Sequence, residues 1–143
     1  MSEPSLPGRA DTFKLLVNHL LSVYGKAWET QDSELILSVF TPEAIYHERV
    51  HEQAMQGHAA IERYWIEKVL NGQANIQFKI KSVYFDVDAS TAIAEWEAEF
   101  DDKVQRVRKH ILEIAVLNIR NDQIACLREY WSSKTVGRMS RNA

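Results

Sequence analysis

The feature that most constrains this chain is a change of hydrophobic period at Gly72. Before it, apolar residues recur at three- and four-residue spacing, the mark of helices with one buried face. After it they alternate, the mark of strands with one buried face. Phe13, Leu16, Val17, Leu20, Tyr24 and Ala27 or Trp28 predict a helix that Asp11 caps and that ends near Thr30. Asp32 reads as the N-cap of a second, short helix whose Leu35, Ile36, Val39 and Phe40 face inward up to Thr41-Pro42. Gly57 opens a third, with Ile61, Tyr64, Trp65 and Lys68 along one side and a stop at Asn71-Gly72.

Beyond Gly72, Ile76, Phe78 and Ile80 alternate in one phase and Val83, Phe85 and Val87 in the other, so a bulge is expected near Lys81-Ser82. "TAIAEWEAEF", "RVRKHILEIAVLNI" and "QIACLREYW" each predict a strand, with turns at Asp86 to Ser90, Asp101 to Lys103 and Asn121-Asp122. The expectation is an antiparallel meander. Helices followed by strands imply an α+β domain in which a curved sheet wraps around the helices.

At 143 residues there is room for one core and one domain, expected over residues 11–134. Two of the three prolines fall in residues 1–10, expected as a mobile tail, and residues 135–143 are expected to fray. A formal charge of −3 with scattered basic residues offers no footprint for nucleic acid or an anionic membrane, so neither is expected as a partner. The single cysteine, Cys126, lies in an apolar alternating segment and reads as a small buried thiol without a catalytic role. The opening "MSEPSLPGRAD" lacks the charged-then-apolar order of a secretory signal, and a cytoplasmic location is expected.

His47-Glu48-Arg49-Val50-His51 fits H-E-x-x-H, by which a helix presents two zinc ligands and a general base. A zinc hydrolase would need residues 43 to 56 to be helical and a third ligand from elsewhere. No H-x-x-G-x-x-H continuation follows His51. The competing reading is a strand and loop with partly wet polar residues. Glu113, between Ile111 and Ala115 in an otherwise apolar strand, must be paired, protonated or facing a cavity. In the strand Thr91 to Phe100, Glu95, Glu97 and Glu99 share one face and Ala92, Ala94, Trp96, Ala98 and Phe100 the other. Burial logic turns the Trp96 face inward.

The runs "YGKAWETQD", "LSVFTPEAIYHE", Gly57 with "AAIERYW", "AIAEWEAEF" and "IACLREYW", in this order and spacing, resemble the nuclear transport factor 2-like superfamily, and within it the SnoaL-like and ketosteroid isomerase-like proteins. The resemblance implies a cone-shaped barrel of three N-terminal helices packed in a curved antiparallel sheet around a pocket. It makes Ala44 to Arg49 a strand, which sends His47 and Glu48 to opposite faces and dismantles the zinc arrangement. It lays Glu48 on the general-base position of the isomerases and Tyr24 on their oxyanion-hole tyrosine. Their third catalytic position falls near Ala115, with Glu113 two residues earlier on the same strand face. It also turns Glu95 and Glu97 toward the pocket, against the burial logic, and that orientation stays open at this level.

The expectation is therefore a pocket for a small hydrophobic molecule, with cofactor-free, metal-free acid/base chemistry: isomerisation, cyclisation, dehydration or hydrolysis. Glu48 is the expected base, Tyr24 a hydrogen-bond donor and Glu113 a second acid or orienting group. Tyr46, Tyr64, Trp65, Glu95, Glu129 and Trp131 are expected to contact the ligand. The alternatives are a non-catalytic ligand- or partner-binding module of the same fold and the zinc hydrolase. A homodimer is expected through the outer sheet face, since Leu112, Ile114 and Val116 are apolar opposite Ile111, Ala115 and Leu117.

Overall fold

The computed structural model describes residues 8–140. Helix α1 spans Arg9–Thr30 with Gly8 as its N-cap, so Asp11 sits in the first turn rather than capping it. An acid there still complements the helix dipole. Val17, Leu20, Leu21, Tyr24, Ala27 and Trp28 form its buried stripe. At Gly25 the helix passes so close to the sheet that a Cβ would run into the Phe78 ring, so a residue without a side chain suits the position. Helix α2 covers Ser33–Ser38, and the Asp32 carboxylate accepts from the backbone N–H of Glu34 at 3.1 Å and of Leu35 at 3.0 Å, the cap expected from the sequence. The helix stops short of Phe40, because that residue already opens strand β1, Phe40–His47. Strand β2 is Met55–Gln56, and helix α3, Gly57–Trp65, continues into a π-helical turn at Ile66–Leu70.

Four long strands follow: β3 Gln73–Asp86, β4 Thr91–Asp102, β5 Val107–Arg120 and β6 Gln123–Arg138. The sheet order is β2-β1-β6-β5-β4-β3. The last four strands form the expected meander, and the register slips between Ile80 and Ser82, where the phase of the alternation changes. Asn121 and Asp122 both take positive φ in the β5–β6 turn, which suits the twist of a tight hairpin. Two expectations need correction. The sheet is mixed rather than antiparallel throughout, because β1 lies parallel to β6, with Tyr46 opposite Leu127 and His47 opposite Arg128. Residues 135–138 do not fray: β6 continues to Arg138, which pairs with Val107, and Ser140 then donates its backbone N–H to the buried Asp101 carboxylate at 2.9 Å. At the other end Arg9 and Ala10 are already helical, while residues 1–7 lie outside the described residues.

The open orientation of β4 resolves in favour of burial. Trp96 is 0% exposed, flanked by the buried Ala92, Ala94 and Ala98, and packs on Tyr24 with ring centroids 5.1 Å apart. Glu95, Glu97 and Glu99 point outward. The reverse choice would bury three carboxylates and expose an indole, costing several kcal/mol for each unpaired charge. The cone thus closes around α1, with a cluster of Tyr24, Trp28, Phe78 and Trp96 on one side and an open end on the other.

Candidate active site

A cavity of about 330 Å³ enters this open end, between α1, α3, the π-helical turn and the inner faces of β1, β5 and β6. Its size suits a small organic ligand. Each wall residue arrives there through the period of its own element. Tyr24 lies on the buried stripe of α1, Tyr46 on the inward face of β1, and Tyr64 and Trp65 on the sheet-facing side of α3. Alternation turns Glu113 of β5 and Glu129 and Trp131 of β6 inward.

The inner end is built on Glu129, which is 5% exposed. One of its oxygens, Oε1, accepts two phenolic protons, from Tyr24 at 3.0 Å and Tyr46 at 2.7 Å. In the β5–β6 ladder Glu113 stands opposite Trp131 and Ala115 opposite Glu129, which makes the two glutamates diagonal neighbours on one face. Their carboxyls lie within hydrogen-bonding reach of each other. Glu113 is 4% exposed, and its Oε2 has no protein partner. Burial is the main reason why Glu129 is pushed up to about 8, with the two phenols pulling the other way. Burial, then the charge of Glu129, holds Glu113 well above the usual carboxyl range. Two carboxyls sharing so little water do not both ionise, so the pair keeps a proton at neutral pH. The same burial and the same carboxylates drive Tyr24, Tyr46 and Tyr64 well above the usual phenol range, so all three remain donors.

Glu48 guards the mouth. It follows the last residue of β1, two positions after Tyr46, and the strand's parity sends its side chain into the cavity wall. The indole N–H of Trp131 donates to its backbone carbonyl at 2.9 Å and holds this segment against the sheet. Arg49 folds back to the Glu48 carboxylate at 3.2 Å and lies over the Trp131 ring, 5.3 Å from its centroid. Partial burial raises Glu48, while the Arg49 charge and a hydrogen bond from Tyr64 oppose the shift. A carboxylate poised between burial and a cation, at the edge of a cavity, is suited to take and return a proton.

The zinc reading is overturned by this backbone. His47 ends a strand and Glu48 to His51 form a bend and turn, so the two imidazoles share no helical face. Among the ligand-contacting residues expected from the sequence, Tyr46, Tyr64, Trp65, Glu129 and Trp131 all line the cavity with Tyr24, Glu48 and Glu113. Glu95 does not. It points to the outer face of the sheet, where its carboxylate lies 3.7 Å from the Lys81 ammonium, because the Trp96 face takes the interior. The pairing of Glu48 with Arg49 at the rim was one of the readings the sequence allowed, but sequence reasoning missed Lys68 at the mouth, and it missed that Glu129 is the hub to which two phenols bind. The signal for the hub was present, since "LEIA" and "LREYW" each carry one glutamate at an inward position of neighbouring strands.

A strand-lined cone around a cavity with acid, phenol and carboxylate groups defines a class, and sequence comparison agrees with it. Residues 22–127 match the SnoaL-like domain, and the chain belongs to that family, within the nuclear transport factor 2-like superfamily. Among solved structures, it is similar to SalBIII, an epoxide hydrolase/cyclase-like enzyme with a role in pyran ring formation in the polyether salinomycin. There the identity is 19% and the TM-score 0.74, over 89% of this chain and 98% of that one. An LEH-like epoxide hydrolase of M. tuberculosis aligns at 12% identity and TM-score 0.68, covering 82% of this chain and 84% of that one. A protein with a ketosteroid isomerase-like fold from Catenulispora acidiphila, in complex with trimethylamine, aligns at 15% and 0.70, covering 79% and 85%. At these identities the likeness is one of fold. No curated protein matches in sequence. Among the described residues no helix is long and apolar enough to cross a membrane.

Proposed function

We propose that this chain is an enzyme that moves a proton on a small hydrophobic molecule without a cofactor, by isomerisation, cyclisation, dehydration or hydrolysis. The observation that carries this reading is the buried Glu113–Glu129 pair, clamped by Tyr24 and Tyr46 at the inner end of a cavity whose mouth holds Glu48. Glu48 acts as base. Glu113 is the second acid or the group that orients the ligand, and Glu129 fixes it in place. Tyr24 serves through Glu129, since its phenolic proton is already given to that carboxylate. Tyr64, Trp65 and Trp131 form the walls against which an apolar ring packs.

The test is turnover of a panel of small epoxides, lactones and β,γ-unsaturated ketones by the native protein and by Glu48→Gln. Loss of turnover with ligand binding retained supports the reading. Equal turnover by the variant overturns the assignment of the base, and binding without any turnover points to a non-catalytic member of the fold.

The outer face of the sheet is proposed as a homodimer interface. Leu112 is 47% exposed and Tyr130 48%, with Ile93 and Ile114 beside them on neighbouring strands. Light scattering that returns the mass of one chain at micromolar concentration overturns this assembly.

A further inference from the structure

We infer that the inner end of the cavity receives the ammonium of a protonated amine carried on an apolar, ring-bearing molecule, with Glu113 and Glu129 holding the charge and the aromatic walls holding the ring. The inference rests on the functional reading above and names the class of ligand, giving Glu113 the orienting rather than the acid role.

Charge placement is the first argument. Glu48, Glu113 and Glu129 all face the cavity, whereas its cations, Arg49, Lys68 and Lys109, belong to the mouth. Arg49 is engaged by Glu48 at 3.2 Å and Lys109 by Asp102 at 3.2 Å, and among the described residues no cation forms an ion pair with Glu113 or Glu129. The inner end is short of positive charge.

Hydrogen-bond supply is the second. The protons of Tyr24 and Tyr46 are already given to Glu129, which leaves these phenols offering lone pairs and ring faces to a guest. Glu113 Oε2, buried and without a partner, is an acceptor awaiting a donor. An ammonium has donors and no acceptor, and a neutral ether or ketone has the reverse. The unpartnered indole N–H of Trp65 would donate to a guest oxygen beside the ammonium, which makes an amino alcohol or amino ketone fit better than a simple amine.

The walls are the third. The Tyr46 and Tyr64 rings lie 5.5 Å apart, and Tyr24 and Trp65 lie 6.1 Å apart edge to face, so ring faces surround the carboxyls from three elements. Such faces attract cations, and Arg49 over Trp131 is this protein's own example of the contact at the mouth.

A proton must leave when the guest arrives. Toward pH 6 Glu129, pushed up to about 8, carries a proton, and an ammonium beside it favours the carboxylate, so up to one proton passes to solvent for each amine bound. The groups facing the pair are Tyr24 from α1, Tyr46 from β1, Glu48 just after it and Tyr64 from α3, with Arg49 and Lys68 acting on Glu48. None of these phenols titrates near neutrality, which leaves the carboxyls to set the pH response.

Benzylamine and benzyl alcohol, alike in ring and size but differing in charge, are the probes. Their affinities for the full chain are measured by calorimetry between about pH 6 and 8. The expected result is benzylamine at least about tenfold tighter than benzyl alcohol near pH 8, with an amine affinity that rises up to about tenfold per pH unit across the range. Glu113→Gln and, independently, Glu129→Gln, each checked for native circular dichroism, should abolish both the preference and the slope. Benzyl alcohol binding as tightly as the amine, or an amine preference without a pH slope, overturns this inference and leaves the proposed function standing. Failure of both probes to bind overturns the inference together with the reading of the cavity as an apolar pocket.

Discussion

The two faces of one sheet treat the same side chain in opposite ways. On the outer face, Glu97 receives a hydrogen bond from His110 at 3.0 Å, which holds its carboxyl below the usual range, and Glu95 and Glu99 lie beside Lys81 and Arg108. On the inner face, Glu113 and Glu129 have phenols and each other for company, and burial drives both upward. Glu113 even stands directly opposite Trp96, the neighbour of Glu95 and Glu97 in sequence. The lesson is that the pleat, rather than the residue type, decides which glutamates are solvated charges and which are chemical groups.

The contrast breaks most visibly at the mouth. With a substrate that the native protein turns over, Glu48→Gln is expected to lower kcat/KM by roughly 10²- to 10⁴-fold, the usual range for a positioned acid or base, while thermal stability changes little. A loss below tenfold in steady-state kinetics would mean that the proton moves elsewhere.

Next in size is the response of stability to pH. Glu113 and Glu129 have folded pKa values above those of the unfolded chain, so the folded state binds their protons more tightly. Their stabilising contribution is fully present below the ordinary glutamate value, about 4.3, and fades as pH rises through the folded value of about 8 for Glu129. For a fully buried carboxyl the change amounts to a few kcal/mol. The native protein should therefore lose melting temperature between about pH 5 and 8, and Glu129→Gln should flatten that decline. An equally steep decline in the variant, followed by calorimetric melting, would place the titrating group outside the pair.

A sharper probe of the inner face is Tyr46→Phe, which removes the 2.7 Å hydrogen bond to Glu129 and leaves Tyr24 as its phenolic partner. The expected cost is about 1–3 kcal/mol in urea unfolding above pH 8, where Glu129 is a carboxylate, and less at pH 6, where it carries a proton. A cost that does not depend on pH would show that the phenol matters through packing alone.

Much of the fold was legible because periodicity reports burial. Asp32 as a cap, the register slip at Ile80/Ser82 and the inward Trp96 face all follow from local rules, and the structure contains each of them. Tyr24, Glu48 and Glu113 were legible as a group only through the order of motifs along the chain. The structure brings them to one cavity, across separations of 24 and 65 residues in sequence that no local pattern records. What stayed hidden were the relations between strands distant in sequence. The parallel pairing of β1 with β6 brings Tyr46 beside the strand that carries Glu129, and no spacing within either strand announces it. The continuation of β6 to Arg138 was hidden for a similar reason: Ser132 to Arg138 lacks an apolar alternation, and its order comes from pairing with β5.

The smallest expected effect belongs to the outer face, and it bears most directly on how far a family pattern should be carried. Laying the isomerases' pattern on the chain turned Glu95 into the pocket, whereas its carboxylate lies near Lys81 with both side chains well exposed to solvent. An ion pair so wetted contributes about 0–1 kcal/mol, and salt screens it. Glu95→Gln should therefore leave kcat/KM within about twofold of native and unfolding within that energy, with the small difference vanishing in high salt. The Trp96 indole beneath supplies the reason: to bring Glu95 inward, β4 would have to slip by one residue, exposing Trp96 and breaking its packing on Tyr24, the residue that holds Glu129. A tenfold loss of activity in Glu95→Gln would thus contradict more than one residue's placement. It would require the opposite register for the whole strand, and with it a different floor for the cavity.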